Sequence, residues 1–182
     1  MIRLFVAIPL PEAVRSQLMS LCAGVRGARW SPQENMHLTL RFIGEVEEPE
    51  LADIAGALSM VGGSAFPLVL KGVGQFGDRR RARVLWAGVA ASEALLRLQR
   101  RTESQLQRAG IAPEGRRYSP HVTLARLNNV GLDRVAPFLV EHGRFETLPF
   151  EVDRFVLYSS HLGQAGAIHT PEAEYPLEAA AD

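Results

Sequence analysis

Apolar residues run almost unbroken from Ile2 to Ile8, as in a strand covered on both faces, and then switch to helical spacing at Val14, Leu18, Leu21 and Cys22. Pro11 suits the first turn of that helix and Gly24 its close. Past Trp30 and the turn-rich Ser31-Pro32-Gln33-Glu34-Asn35, the chain alternates His37-Leu38-Thr39-Leu40, a strand pattern that Gly44 is expected to end. A second helix is predicted from Pro49, with Leu51, Ile54, Ala55 and Leu58 on one face. Phe66–Phe76 and Ala82–Ala90 read as two strands joined at the basic tip Gly77-Asp78-Arg79-Arg80-Arg81.

A third helix is predicted over Ser92 to Ala109, with Ser92 as N-cap and Gly110 as the stop. From Pro120 the earlier alternation returns as His121-Val122-Thr123-Leu124. A short helix follows with Leu132, Val135, Ala136 and Leu139 on one face. It tolerates Pro137 only if it starts near Asp133, because the first four backbone N–H groups have no partner within the helix. Phe150–Tyr158 is a further strand and Ala167–Leu177 a last, irregular one. With no linker or low-complexity stretch between the halves, residues 1–182 are expected to form a single domain of two interleaved lobes. The fold class is α+β and bilobal: two facing antiparallel sheets with helices packed outside, a pseudo-two-fold, and one His-x-Thr motif per lobe.

Composition narrows the picture further. At 182 residues, 47% apolar and 22% charged, the chain can bury a full core. Its formal charge is zero, so it lacks the basic excess that drives nonspecific binding to long nucleic acid, while a terminal phosphate remains a compatible partner. One cysteine, Cys22, excludes an intrachain disulfide and a thiolate-rich metal site, and suits a reducing, cytoplasmic setting. Ile2–Leu10 is too short to span a bilayer and is broken by Pro9, so no membrane association is expected.

The repeated alternation carries the chemistry. In a strand, His37 and Thr39 share one face while Leu38 and Leu40 anchor the other, and His121, Thr123, Val122 and Leu124 repeat the arrangement. One histidine in an apolar strand is more often a hydrogen-bonded core residue, but that explanation has to be invoked twice for one string. Imidazole titrates near neutral pH, so a pair can supply a base and an acid. Phosphodiester hydrolysis needs both: attacking water loses a proton and the departing alkoxide gains one. Thr39 and Thr123 can donate hydrogen bonds to the non-bridging oxygens, and a nearby arginine, Arg126 or Arg41, can clamp the same group. Strict alternation favours Arg41, since it puts Phe42 and Arg126 on the face away from the histidines unless each strand bulges after its threonine. The scheme needs no cofactor, and no cluster with metal-ligand spacing is evident.

Arg3-Leu4-Phe5-Val6-Ala7-Ile8, Arg29-Trp30, Asn35-Met36-His37-Leu38-Thr39-Leu40-Arg41-Phe42, Pro120-His121-Val122-Thr123-Leu124-Ala125-Arg126 and Leu157-Tyr158-Ser159-Ser160 closely resemble the RNA 2′,3′-cyclic phosphodiesterases. These enzymes, also called 2′-5′ RNA ligases, belong to the two-histidine phosphoesterase superfamily. The likeness covers almost the whole chain, and both extended motifs, His-x-Thr-x-x-Phe and His-x-Thr-x-x-Arg, are matched at every position. The resemblance implies that His37 protonates the leaving ribose 3′ oxygen, His121 activates water, Arg126 grips the phosphate and Phe42 stacks on the terminal base. The implied product is a 2′-phosphomonoester on an RNA end or nucleoside; the chemistry read from the residues needs no metal, and a monomer is expected.

Two alternatives use the same residues: reversible 2′-5′ end joining, and a noncatalytic module that binds nucleotides or RNA ends. Outside the motifs, Arg79-Arg80-Arg81-Ala82-Arg83, Arg116 and Arg117 could follow an RNA backbone or simply be solvated, and Tyr118 could stack at the rim or pack beside its strand. Trp30 and Trp86 are expected to be buried, His142, His161 and His169 to lie on the surface, and Cys22 to be an inert core side chain.

Overall fold

In chain order the elements are β1 (Ile2–Pro9), α1 (Glu12–Met19), β2 (Ala28–Trp30), a 3-10 turn (Gln33–Asn35), β3 (His37–Val46), α2 (Glu48–Leu58), β4 (Phe66–Leu68), β5 (Leu70–Gly77), β6 (Arg81–Val89), α3 (Glu93–Arg108), β7 (His121–Gly131), α4 (Leu132–Glu141), β8 (Phe150–Val152), β9 (Arg154–Gly163) and β10 (Gly166–Pro176). The coordinates are a computed structural model and describe residues 1–180; the last two residues of the expected 1–182 domain lie outside the described residues. Two four-stranded sheets dominate, in the orders β10-β9-β1-β3 and β2-β7-β6-β5, and their strand pairs are antiparallel. The α+β class expected from the sequence is the one observed. Leu4 through Ile8 are all buried because β1 lies inside the first sheet, covered on both faces.

Several boundaries differ from the sequence expectation, each for a physical reason. The apolar run 66–76 divides at Val69, and 150–158 divides at Asp153. β4 and β8 pair with each other in a separate ribbon, while β5 and β9 join the large sheets. Apolar composition does not say which partner a strand takes. Gly44 does not end β3: with φ at +91° it sits opposite Leu4, where the pairing register shifts, so it serves an irregularity inside the strand. α1 stops at Met19, and Gly24 lies in a later turn with positive φ. In α4, which starts at Leu132, Pro137 falls beyond the first turn and offers no N–H to the Asp133 carbonyl. Ser92 caps α3 as expected, its Oγ accepting the Leu95 N–H at 3.1 Å.

β3 and β7 belong to different sheets yet lie in contact. The Tyr118 hydroxyl, just ahead of β7, donates to the Thr39 carbonyl of β3 at 2.8 Å and ties the two sheets together at the motifs.

Candidate active site

The two motif segments are buried in the same order. In both 37–42 and 121–126 the first and third residues are partly buried, the second, fourth and fifth are buried, and the sixth is exposed. Two consecutive buried residues mark a break in alternation, and the strand registers locate it. Thr39 is opposite Ala7 but Arg41 is opposite Val6, leaving Leu40 as an extra residue. Thr123 is opposite Trp86 but Ala125 is opposite Leu85, leaving Leu124 as an extra residue. Each motif therefore bulges immediately after its threonine and returns its sixth residue, Phe42 or Arg126, to the face that carries histidine and threonine.

The same bulge buries Arg41: the residue still borders part of the cleft, but its guanidinium is committed elsewhere, so the preference for Arg41 as the site-facing arginine is corrected. Arg41 is 7% exposed, and its Nε donates to Glu103 at 2.6 Å. The rest of its guanidinium donates to the Phe42 and Ala112 carbonyls. Burial alone would raise the Glu103 carboxyl; hydrogen bonds from Arg41, Gln107 and the Glu114 N–H outweigh it and hold the group below its ordinary range. Arg126, in contrast, is exposed and has no ion-pair or hydrogen-bond partner among the described residues, as do the hydroxyls of Thr39 and Thr123.

His37, Thr39, Phe42, His121, Thr123 and Arg126 all line one cleft of about 1260 Å3. The His121 imidazole is oriented by a backbone carbonyl two residues earlier, its Nδ1 2.7 Å from the Ser119 carbonyl, and the Asn35 carbonyl, also two residues back, favours the charged form of His37. A carbonyl only accepts, so the bonded ring nitrogen carries hydrogen, and in the neutral ring the other nitrogen is free to accept a proton. Phe5, fully buried, stacks under His37 with centroids 4.8 Å apart, and Phe76 meets His121 edge-on at 4.8 Å. Burial pushes His37 down to about 4; repulsion from His169 and from His121 works the same way, and the Asn35 carbonyl partly opposes them. The free protein thus carries a neutral His37 at pH 7. Exposed Phe42, at 54%, leans on Phe5 with centroids 5.7 Å apart and lines the cleft.

Other residues reach the cleft that the motifs alone do not indicate. His169, expected on the surface, lines it beside His37, whereas His161 is exposed and His142 packs on Phe138. Arg29 lies opposite Arg126 in the β2–β7 register. With Arg83, Arg116 and Arg117 it sets guanidinium groups around the opening, against only the Asp78 and Glu114 carboxylates. Of the cluster at 79–83, only Arg83 lines the cleft; Arg81 is held by Asn129. Trp30 and Trp86 are partly buried. Cys22 is half-buried, and burial pushes its thiol up to about 11, consistent with an inert side chain. Among the described residues no group of His, Cys, Asp and Glu is arranged to hold a metal ion, and no helix is long and apolar enough to cross a membrane.

The sequence pattern of the LigT-like phosphoesterases matches residues 8–86 and again 88–169. The chain is 34% identical over 173 residues to the RNA 2′,3′-cyclic phosphodiesterase of Thermotoga maritima, covering 92% of this chain and 91% of that one. It is 38% identical over 138 residues to the protein of the same name from Aeropyrum pernix, covering 75% and 78%. Among solved structures, E. coli LigT in its apo form matches with a TM-score of 0.82 at 28% identity, covering 97% of this chain and 98% of that one. E. coli LigT complexed with 3′-AMP matches at 0.77 and 27% identity, with the same coverage.

Proposed function

The chain belongs to the LigT-like phosphoesterase family, and on that premise we propose that it is an enzyme hydrolysing RNA-terminal 2′,3′-cyclic phosphates to 2′-phosphomonoesters by acid–base catalysis between His37 and His121. The observation that carries the reading is the pair of motifs, bulged alike and lining one cleft. His121, its Nδ1–H engaged by Ser119, takes a proton from water through Nε2 as the water oxygen bonds to phosphorus. The P–O3′ bond breaks, and His37 gives its proton to the departing O3′. Thr39, Thr123 and Arg126 hold the non-bridging oxygens where negative charge collects. An anionic phosphate entering the cleft favours the charged imidazole, which counters the burial that keeps His37 neutral in the free protein.

Phe42 offers its ring for stacking on the terminal base. The cleft exceeds the roughly 300–1,000 Å3 typical of small-molecule sites, and with its arginines it suits a polynucleotide end better than a lone nucleotide. A cytoplasmic monomer formed by the whole chain is part of the proposal, and sedimentation equilibrium checks the oligomeric state. The decisive assay incubates cyclic-phosphate-terminated RNA with the protein in excess chelator and separates hydrolysed from joined product on a gel. Hydrolysis is expected to persist with chelator and to fall roughly 10²–10⁴-fold in each of His37→Ala and His121→Ala. Retention of full activity by both variants sinks the mechanism.

A further inference from the structure

The cleft holds a third imidazole that the paired motifs do not account for. His169 lies on β10, opposite Ser160 of β9. Its ring meets His37 edge-on, with centroids 5.2 Å apart and planes at 67°, and meets Phe5 at 4.9 Å and 72°. His37 thus has a flat floor in Phe5 and a side wall in His169. One residue links the two segments: Asn35, two residues before His37, donates through Nδ2 to the Ala167 carbonyl, two residues before His169, at 2.9 Å.

We propose that His169 is a positioning residue for the hydrolysis described above, its imidazole fixing the orientation of the His37 ring and limiting the charge that the pair can carry. The inference rests on that reaction for its purpose and on ring geometry for its argument. Two imidazoles in contact cannot both be protonated without repulsion, so they titrate as a unit. The titratable groups facing His37 are His169 from β10, His121 from β7 and Tyr158 from β9, the last with centroids 6.2 Å away and its phenol kept neutral by burial. The other faces are Phe5 of β1, which carries no charge, and the Asn35 carbonyl. Burial and then His169 are the two largest influences holding His37 below its ordinary range. A phenyl ring at position 169 would keep the wall and remove the charge.

The test compares wild type, His169→Phe and His169→Ala by NMR titration of the His37 ring and by the pH profile of kcat/KM on RNA ending in a 2′,3′-cyclic phosphate. In His169→Phe the His37 midpoint should rise by roughly half a pH unit or more, and the corresponding limb of the profile should move with it. His169→Ala, which also removes the wall, should lower kcat several-fold further with KM little changed. His169→Gln gives the same readout should the phenylalanine variant fold poorly. An unchanged His37 midpoint together with an unchanged profile overturns the proposal. If wild type hydrolyses nothing, the proposed function fails and the positioning role falls with it, while a shifted midpoint shows that the two rings were nevertheless coupled.

Discussion

Arg41 and Arg126 stand one position apart in the two motif segments, fifth and sixth, with opposite consequences. Arg41 is spent on Glu103, whose side chain is partly buried, and removing it leaves that carboxylate with only Gln107 and the Glu114 N–H. Arg41→Met should therefore cost about 1–3 kcal/mol of stability, read by urea denaturation at pH 7, and leave kcat/KM little changed in folded protein. Arg126→Ala should do the reverse, lowering kcat/KM on the order of 10²-fold with an unchanged urea midpoint. A matching loss of stability in both variants would contradict the assignment of faces. Alternation by itself favoured the wrong arginine, because nothing in Leu40 or Leu124 announces a bulge.

Among the elements, the β5–β6 pair does most to place His121. Gly74 lies opposite Trp86, and a methyl group there would stand 2.2 Å from Trp86 Cζ2. The absent side chain lets the indole lie over β5, where Phe76 packs on it with centroids 5.3 Å apart and reaches His121. Gly74→Ala should displace the indole, change tryptophan fluorescence, cost roughly 1–3 kcal/mol, and reduce kcat/KM through His121. As a contrast, Ser92→Ala removes the α3 cap, a residue outside the cleft lining. It should cost about 1 kcal/mol and spare activity. Helices and strands with strong period and caps, α2, α3 and β1 among them, were legible in the sequence; the division of 66–76 and 150–158 between sheets was not, because pairing depends on a distant strand.

For the whole molecule, function and acid sensitivity share an origin in the closed ring cluster under the cleft. Unfolded, His37 titrates near 6.5; folded, near 4. Below pH 6.5 the unfolded chain takes up the proton first, so stability falls as pH drops from 6.5 through 4 and is insensitive to this group above 6.5. His169, also lowered by burial, adds a term of the same sign. Between pH 7 and 4.5 the His37 share amounts to about 2 kcal/mol, and His37→Phe should lose that share of the slope in urea midpoints. An identical slope in wild type and variant would show that the ring is not held neutral. Because strands from both ends of the chain share one sheet and the chain crosses repeatedly to the other, unfolding is expected as one cooperative transition.

By itself the sequence determined which residues repeat, His37 and Thr39 with His121 and Thr123, and that their anchoring partners are apolar; alternation and helical spacing are local properties, readable within a few residues. Tertiary structure alone decided that both histidines border one cleft, that Phe42 and Arg126 face it while the Arg41 guanidinium is tied to Glu103, and that His169 joins His37. The reason is that a bulge exists only relative to a partner strand, and the ring cluster is assembled from β1, β3, β9 and β10, segments brought together by folding across nearly the full length of the chain.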